Sequence, residues 1–421
     1  MKKWTLLIVS LFFIISCGGS TTKPEDCSTW EQNRFVYEYM QDHYLWYKEL
    51  PELNYQDYDS PEELLEALKN PKDKWSFIID KQALDDFYSG EGYIGYGFKL
   101  RFNENEELFI TLVYPDSPAS KAGLKRGVQI VKINGIDIEE IADINSAFGD
   151  DKIGVETTLE VIVDDTQQSI TLAKDKIDAP SVLKDKILDI NGFKVGYILF
   201  DKFIEPSTNE LKEVFDSFKE SDIDKLIIDL RYNGGGLVNV ANDLVSLING
   251  VGNEGKVSLS LEFNDKNSYK NSSYYIKEFQ DSLALEEVYF ITTKSTCSAS
   301  EAVINALKPY GVDAKLIGES TCGKPVGMVG DDFCDKYIMP IEFSIVNRDG
   351  EGDYFGGMAV NCSASDDIYH DFGDLDENML SATAYLIENG VCLDSASARV
   401  ISTKEPKSIE LKGIKSIITA F

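Results

Sequence analysis

The chain has 421 residues, long enough for about three domains of ordinary size. Hydrophobic residues make up 43% and charged residues 27%, which supplies material for real cores and excludes a disordered or fibrous chain. The formal charge of −31 excludes charge-driven binding to nucleic acid or to an anionic membrane face; with no long acidic run, it reads as a well-solvated acidic surface.

Lys2 and Lys3 precede an apolar stretch, Trp4 to Ile15, that is too short to span a bilayer. Charge, apolar run, small residue and cysteine follow in that order, and Ile14-Ile15-Ser16-Cys17 resembles a bacterial lipobox. The resemblance implies a signal peptide over 1–16, a lipidated Cys17 and a tether over 17–28. The protein is then expected to be exported and membrane-anchored in a bacterial cell envelope, facing the periplasm or the surface; multiple acylation would make the anchor stable. Six other cysteines remain, Cys27, Cys297, Cys322, Cys334, Cys362 and Cys392. Export permits disulfides, and all fifteen full pairings stay open. A Cys297–Cys322 bridge and a pair of free buried thiols fit equally well. No CxxC or Cys/His spacing occurs, so neither zinc nor another cofactor is expected.

Residues 29–90 read as a helical region. Apolar residues recur at Phe35, Tyr39, Leu45 and Trp46, and SPEELLEALKN (60–70) opens with an N-cap serine, a proline at the first position and glutamates in the first turn. His43 falls in the first of these helices and reads as a packing or surface residue.

Residues 91–175 change to strand periodicity. ELFITLVY (107–114) is a strand, PDSPASKAGLKRG holds a turn and a short helix ending at Gly123, Gln129 to Ile133 is a strand, and Asn134-Gly135 is a hairpin turn. TTLEVIVDD and SITLA supply closing strands. GYGF (95–98) with SPASKAGLKRGVQIVKINGIDI resembles a PDZ domain. The resemblance implies that the amides of Tyr96, Gly97 and Phe98 form a nest for a chain-terminal carboxylate, with the peptide added as a strand beside Lys99 to Phe102.

From 176 to 396 the pattern is α/β. Strands are expected in GFKVGYILFDKF (192–203), KLIIDL (225–230) and EEVYFITT (286–293), and helices in NELKEVFDSFKES (209–221) and LVNVANDLVSLI (237–248). The apolar continuity of KLIIDL fits a sheet buried on both faces, and the alternation implies a largely parallel sheet. TCSASE (296–301) leads into a helical run to Lys308, then a short strand over Lys315 to Ile317 and the Gly-flanked Lys324. Residues 397–421 form a tail of uncertain role, and no internal repeat is present.

With only two histidines in the chain, a serine nucleophile needs another base, and a serine–lysine pair is the common alternative. GYILF (196–200), DLRYNGGG (229–236), TCSASE (296–301) and LIGESTCGK (316–324) occur in the order found in the C-terminal processing, or tail-specific, serine peptidases, and the chain resembles that family from about residue 30 to 395. The resemblance implies a multidomain α/β protein: a crotonase-like ββα catalytic domain, a PDZ-like β-rich domain and an N-terminal helical region. It implies an endopeptidase that hydrolyses exported proteins, with the PDZ domain engaging free C-termini. Ser298 would be the nucleophile and Lys324 the general base, at a separation one residue longer than expected. Lys324 must then be buried to lose its proton near pH 7. Ala299 and Gly235 would donate to the oxyanion, with Gly236 next in line for the second place. Asp229 and Arg231 brace the glycine turn, Glu301 caps the following helix, and Ser300 is the alternative nucleophile.

One position departs from the pattern. Where the family often carries a lysine-orienting glutamine, this chain has Met328, with Asp331 and Asp332 nearby. A decayed site would leave a non-catalytic, PDZ-containing peptide-binding scaffold. A cysteine peptidase using Cys297 or Cys322 would lack a neighbouring histidine. His370, in SDDIYHDFGD, reads as a surface residue.

Overall fold

The structure, a computed structural model, describes residues 21–393 apart from Glu91, Glu104 and Asp164. The leader, Cys17 and the tail from 397 lie outside these residues. Among the described residues no helix is long and apolar enough to cross a membrane.

The N-terminal region begins with helix Thr29–His43, where the Ser28 hydroxyl accepts the Glu31 amide. Helix Pro61–Leu68 is started the same way by Ser60 on the Glu63 amide, with Pro61 in the first turn. Phe35, Val36, Tyr39 and Met40 of one helix and Leu64, Leu65 and Leu68 of the other share a core with Val326, Phe333, Ile338 and Ile341, far along the chain. The helical expectation misses strand Phe77–Asp80, which pairs antiparallel with Lys336–Met339 in a three-stranded sheet. Its four residues carry no helical or alternating period, and its partner is distant in sequence. A disulfide between Cys27 and Cys334 fastens the start of the region to the same hairpin.

The β-rich unit orders its main strands as Phe98–Phe102, Leu108–Val113, Gln129–Ile133, Glu156–Val163 and Thr166–Ala173. Asn134 and Gly135 both take positive φ, 52° and 80°, as a type I′ hairpin turn requires. Inward residues, among them Phe102, Ile110, Ile133, Leu159 and Val161, form its core. Strand Phe98–Phe102 lies at the sheet edge.

The largest unit is a six-stranded sheet ordered Val182–Ile190, Phe193–Phe200, Lys225–Asp229, Glu287–Thr292, Asp313–Gly318 and Cys362–Ser363. The first pair is antiparallel and the remaining pairs are parallel. Alternate residues of each strand face opposite layers. Leu226, Ile228, Val288 and Phe290 pack against helices Ser207–Glu220, Val238–Asn249 and Ala299–Leu307. Ile227, Tyr289 and Ile291 pack against helix Asn378–Asn389. A four-stranded antiparallel sheet, Ser272–Tyr275, Val257–Phe263, Phe343–Asn347 and Val326–Gly327, adds Leu259, Leu261, Phe343 and Ile345 to the first layer. Three adjacent parallel strands, ending at Asp229, Thr292 and Gly318, open at their C-terminal ends into the glycine turn, the serine loop and the lysine loop. Ligand-binding crevices of open α/β sheets form at that end.

Candidate active site

The serine loop leaves strand Glu287–Thr292, buried from Val288 onward, and turns sharply into helix Ala299–Leu307. Ser298 sits at the turn with φ 54° and ψ −113°, a positive φ unusual for a side-chain-bearing residue. Sharp strand-to-helix turns of this kind carry nucleophiles because they lift one side chain clear of the sheet. The strain is held by the surroundings: Ser298 and Ala299 are buried, and Asn233 clasps the loop from below. The Asn233 carbonyl accepts the Cys297 amide at 3.1 Å and the Ser300 hydroxyl at 3.2 Å. Ser300 is therefore tied down as a structural residue. Asn233 went unremarked in the sequence; nothing local marks it out.

The glycine turn presses against Ser298. A Cβ on Gly235 would stand 2.9 Å from the Ala299 nitrogen, the Cys297 carbonyl oxygen and the Ser298 Cβ, and Gly235 has φ 105°. The Gly235 amide, however, donates to Asn233 Oδ1 at 2.9 Å. Among the described residues, the amides of Gly236 and Ala299 make no hydrogen bond. Gly235 thus supplies close approach, and its own amide is engaged by Asn233. Asp229 and Arg231 brace the turn from behind: buried Arg231 meets Asp229 at 2.7 Å, Glu377 at 2.8 Å and Asp366 at 2.9 Å.

Glu301 holds the serine and lysine loops together. Its Oε2 accepts the Ser298 amide at 3.0 Å and the Lys324 amide at 2.8 Å. Its Oε1 accepts the Gly323 amide at 2.8 Å and the Thr321 hydroxyl. Burial pushes the Glu301 carboxyl up, against the pull of these four donors. The residue expected only to cap a helix is also the clamp of the second loop. A disulfide between Cys297 and Cys322 joins the same two loops, with Cα atoms 5.3 Å apart. Their sulfurs are bonded to each other, so the cysteine-peptidase reading loses both candidate thiolates.

Lys324 is fully buried. Burial lowers its pKa to about 7, opposed by the negative charges of Asp73 and Glu301. Asp73 comes from the N-terminal region and was not anticipated. It is buried and oriented by the Tyr44 hydroxyl at 2.7 Å and by the amides of Trp75 and Ser76. Met328 packs into the apolar cores beside Phe35 and Ile79. Asp331 and Asp332 face outward and pair with Lys23 and Lys81. His370 bonds Asp367 at the surface, and His43 stacks on Tyr39 beside Lys270 and Glu342.

The chain matches three family descriptions: Peptidase family S41 over residues 194–348, the peptidase S41 N-terminal domain over 31–77 and a PDZ domain over 109–148. The likeness to peptidase family S41 covers much of the six-stranded-sheet unit and of the N-terminal region. A Staphylococcus aureus (strain COL) protein named "Probable CtpA-like serine protease" is 27% identical over 349 residues, covering 76% of this chain. The match spans 66% of the length of that relative. A Staphylococcus epidermidis protein of the same name is 24% identical over 381 residues, covering 89% of this chain and 73% of its own. Among solved structures, one assigned to the S41 proteases from Bacteroides fragilis NCTC 9343 superposes with a TM-score of 0.70 at 24% identity, covering 85% of this chain and 97% of that one. The photosystem II D1 C-terminal processing protease superposes at 0.52 with 17% identity, covering 81% and 94%. These last two likenesses concern the fold.

In this chain the PDZ unit lies against the unit built on the six-stranded sheet. Of its expected peptide-binding residues, Tyr96 turns its side chain into the PDZ core and bonds the Thr157 hydroxyl at 2.6 Å. Gly97 has φ 83°, and a Cβ there would meet the Ser117 Cβ at 2.1 Å. Phe98 stacks on Tyr96 and opens the edge strand. From that strand Lys99 reaches Asp201 at 2.6 Å, across the unit boundary.

Proposed function

We propose that this S41 chain is a serine endopeptidase in which Ser298 attacks the scissile carbonyl and Lys324 is the general base. The observation that carries the proposal is the single Glu301 oxygen that accepts the amides of both Ser298 and Lys324, with the lysine buried and its pKa lowered to about 7. Neutral Lys324 takes the Ser298 hydroxyl proton as the oxygen adds to the carbonyl carbon. The oxyanion is received by the amides of Ala299 and Gly236. The lysine then returns the proton to the leaving amine, and the acyl-enzyme is hydrolysed by a water that Lys324 deprotonates.

Substrates in this reading are exported proteins or peptides whose free C-termini are held by the amides of Tyr96, Gly97 and Phe98 on the PDZ unit. Lipidation at Cys17 would hold the enzyme at the membrane. Metabolic labelling with a fatty acid, lost in Cys17→Ser, checks the anchor. The decisive test of the activity is turnover of an unfolded protein: Ser298→Ala and Lys324→Ala should each abolish cleavage while the proteins stay folded. Cleavage retained by either variant refutes the assignment.

A further inference from the structure

The serine and lysine loops are tied twice, once by hydrogen bonds and once covalently. Cys297 immediately precedes Ser298, and Cys322 stands two residues before Lys324. The Cys322 amide also donates to the Thr296 carbonyl at 3.0 Å, so the two loops run side by side at the bridge. The other two disulfides lie elsewhere: Cys27–Cys334 fastens the N-terminal region, and Cys362–Cys392 fastens the end of the last helix to the edge strand. Among the described residues, only the Cys297–Cys322 bond links the pieces whose registration the reaction needs. The Cys322 sulfur lies 3.6 Å from Glu301 Oε2, the oxygen that holds both amides. As half of a disulfide it cannot donate there. As a thiol it would donate to that oxygen and compete with the Ser298 and Lys324 amides.

We propose that the Cys297–Cys322 disulfide is a positioning element of the Ser298/Lys324 pair, and that a dithiol reductant switches the peptidase off by opening it. The proposal rests on the Ser/Lys reading above. Cys297 is buried and Cys322 is half-buried, so the entering thiolate meets Cys322 first. It bonds to the Cys322 sulfur and expels the Cys297 thiolate. The second thiol of the reductant, as thiolate, then displaces the Cys322 thiolate. The dithiol leaves as its own disulfide, two electrons have passed to the protein, and the two cysteines take up the two protons.

The test uses the full chain and an unfolded protein substrate. Dithiothreitol treatment, with free Cys297 and Cys322 confirmed by mass spectrometry, should lower kcat by about 10²-fold with little change in KM, and reoxidation should restore it. The Cys297→Ala/Cys322→Ala variant should show the same loss and no further response to the reductant. Cys27→Ala/Cys334→Ala should keep kcat and lose only thermal stability. The pH profile of the reduced wild type should shift as Lys324 is displaced, which a general loosening of the fold would not produce. If the double variant does not fold, reversible reduction of the wild type decides alone. Reduced wild type with kcat within twofold of the oxidised form, or a loss that tracks unfolding by circular dichroism, overturns the proposal. An oxidised wild type without turnover overturns the peptidase reading itself, a distinguishable failure.

Discussion

Arg126 of the PDZ unit and Arg231 of the glycine turn donate to the same oxygen, Asp366 Oδ1, at 2.6 and 2.9 Å. Arg126 also donates to the Tyr232 hydroxyl at 2.8 Å, beside the residues that shape the glycine turn. Burial pushes the Asp366 carboxyl up, but the two guanidiniums outweigh it and hold the group below the usual carboxylate range. A carboxylate shared in this way couples the placement of the PDZ unit to the turn under Ser298.

Arg126→Ala removes one partner of that buried network. Breaking a buried pair from one side costs about 3–5 kcal/mol, and here the loss falls on docking of the PDZ unit. Limited proteolysis should cut the connection around residues 178–180 faster in the variant, while the remaining peptidase core keeps its circular dichroism. An unchanged cleavage rate would show that Lys99–Asp201 and Tyr114–Asp201 suffice to hold the units together.

The activity should rise with pH through about 7, because Lys324 serves only after losing its proton. Asp73 favours the charged lysine, so Asp73→Asn should lower the Lys324 pKa further and move the acid limb of the kcat profile to lower pH. The wild type would then be outperformed by the variant below neutrality, provided Tyr44 and Ser76 keep the segment folded. A limb that stays in place would show that Asp73 does not act on Lys324.

Much of this was legible in residues 225–236 and 286–324. Continuous apolar strands followed by Gly-rich or small-residue loops announce both the parallel sheet and its loaded C-terminal ends. Contributions from far away in sequence were not legible. Asp73 sits in PKDKW, a stretch that looks like solvated loop; Phe77–Asp80 pairs with Lys336–Met339 across the chain. Asn233 reads as one more turn residue, yet its Oδ1 takes the Gly235 amide, which is why the proposed second donor is Gly236. Met328 drew attention as a lost polar group. It belongs to a core built jointly with the N-terminal helices, which no local pattern reveals.

Burying Lys324 has a thermodynamic consequence. A lysine that titrates near 7 when folded and near 10.4 when unfolded binds fewer protons in the folded state between those values, so stability contributed by this site rises with pH across that window. Lys324→Met should therefore abolish activity and raise the melting temperature at pH 7, by an increment worth on the order of a few kcal/mol. The gain should shrink as pH approaches about 10, where lysine is largely neutral in both states. A variant less stable than wild type at pH 7 would mean that the pairing of Lys324 with its surroundings outweighs its desolvation.

Gly235 and Gly236 should separate catalysis from folding. On Gly236, with φ 137°, a Cβ would stand 2.1 Å from the Phe203 carbonyl oxygen, a backbone atom that accepts the Leu237 amide. Gly236→Ala should therefore lower the melting temperature sharply. On Gly235, with φ 105°, a Cβ would stand 2.9 Å from the Ala299 nitrogen and the Cys297 carbonyl oxygen, backbone atoms of the serine loop. Gly235→Ala should therefore lose some stability, less than Gly236→Ala, and should push Ser298 and the Ala299 amide out of register, lowering kcat by about 10²-fold or more with KM little changed. Equal losses of stability in the two variants would contradict this division, because the glycine turn would then serve the fold alone.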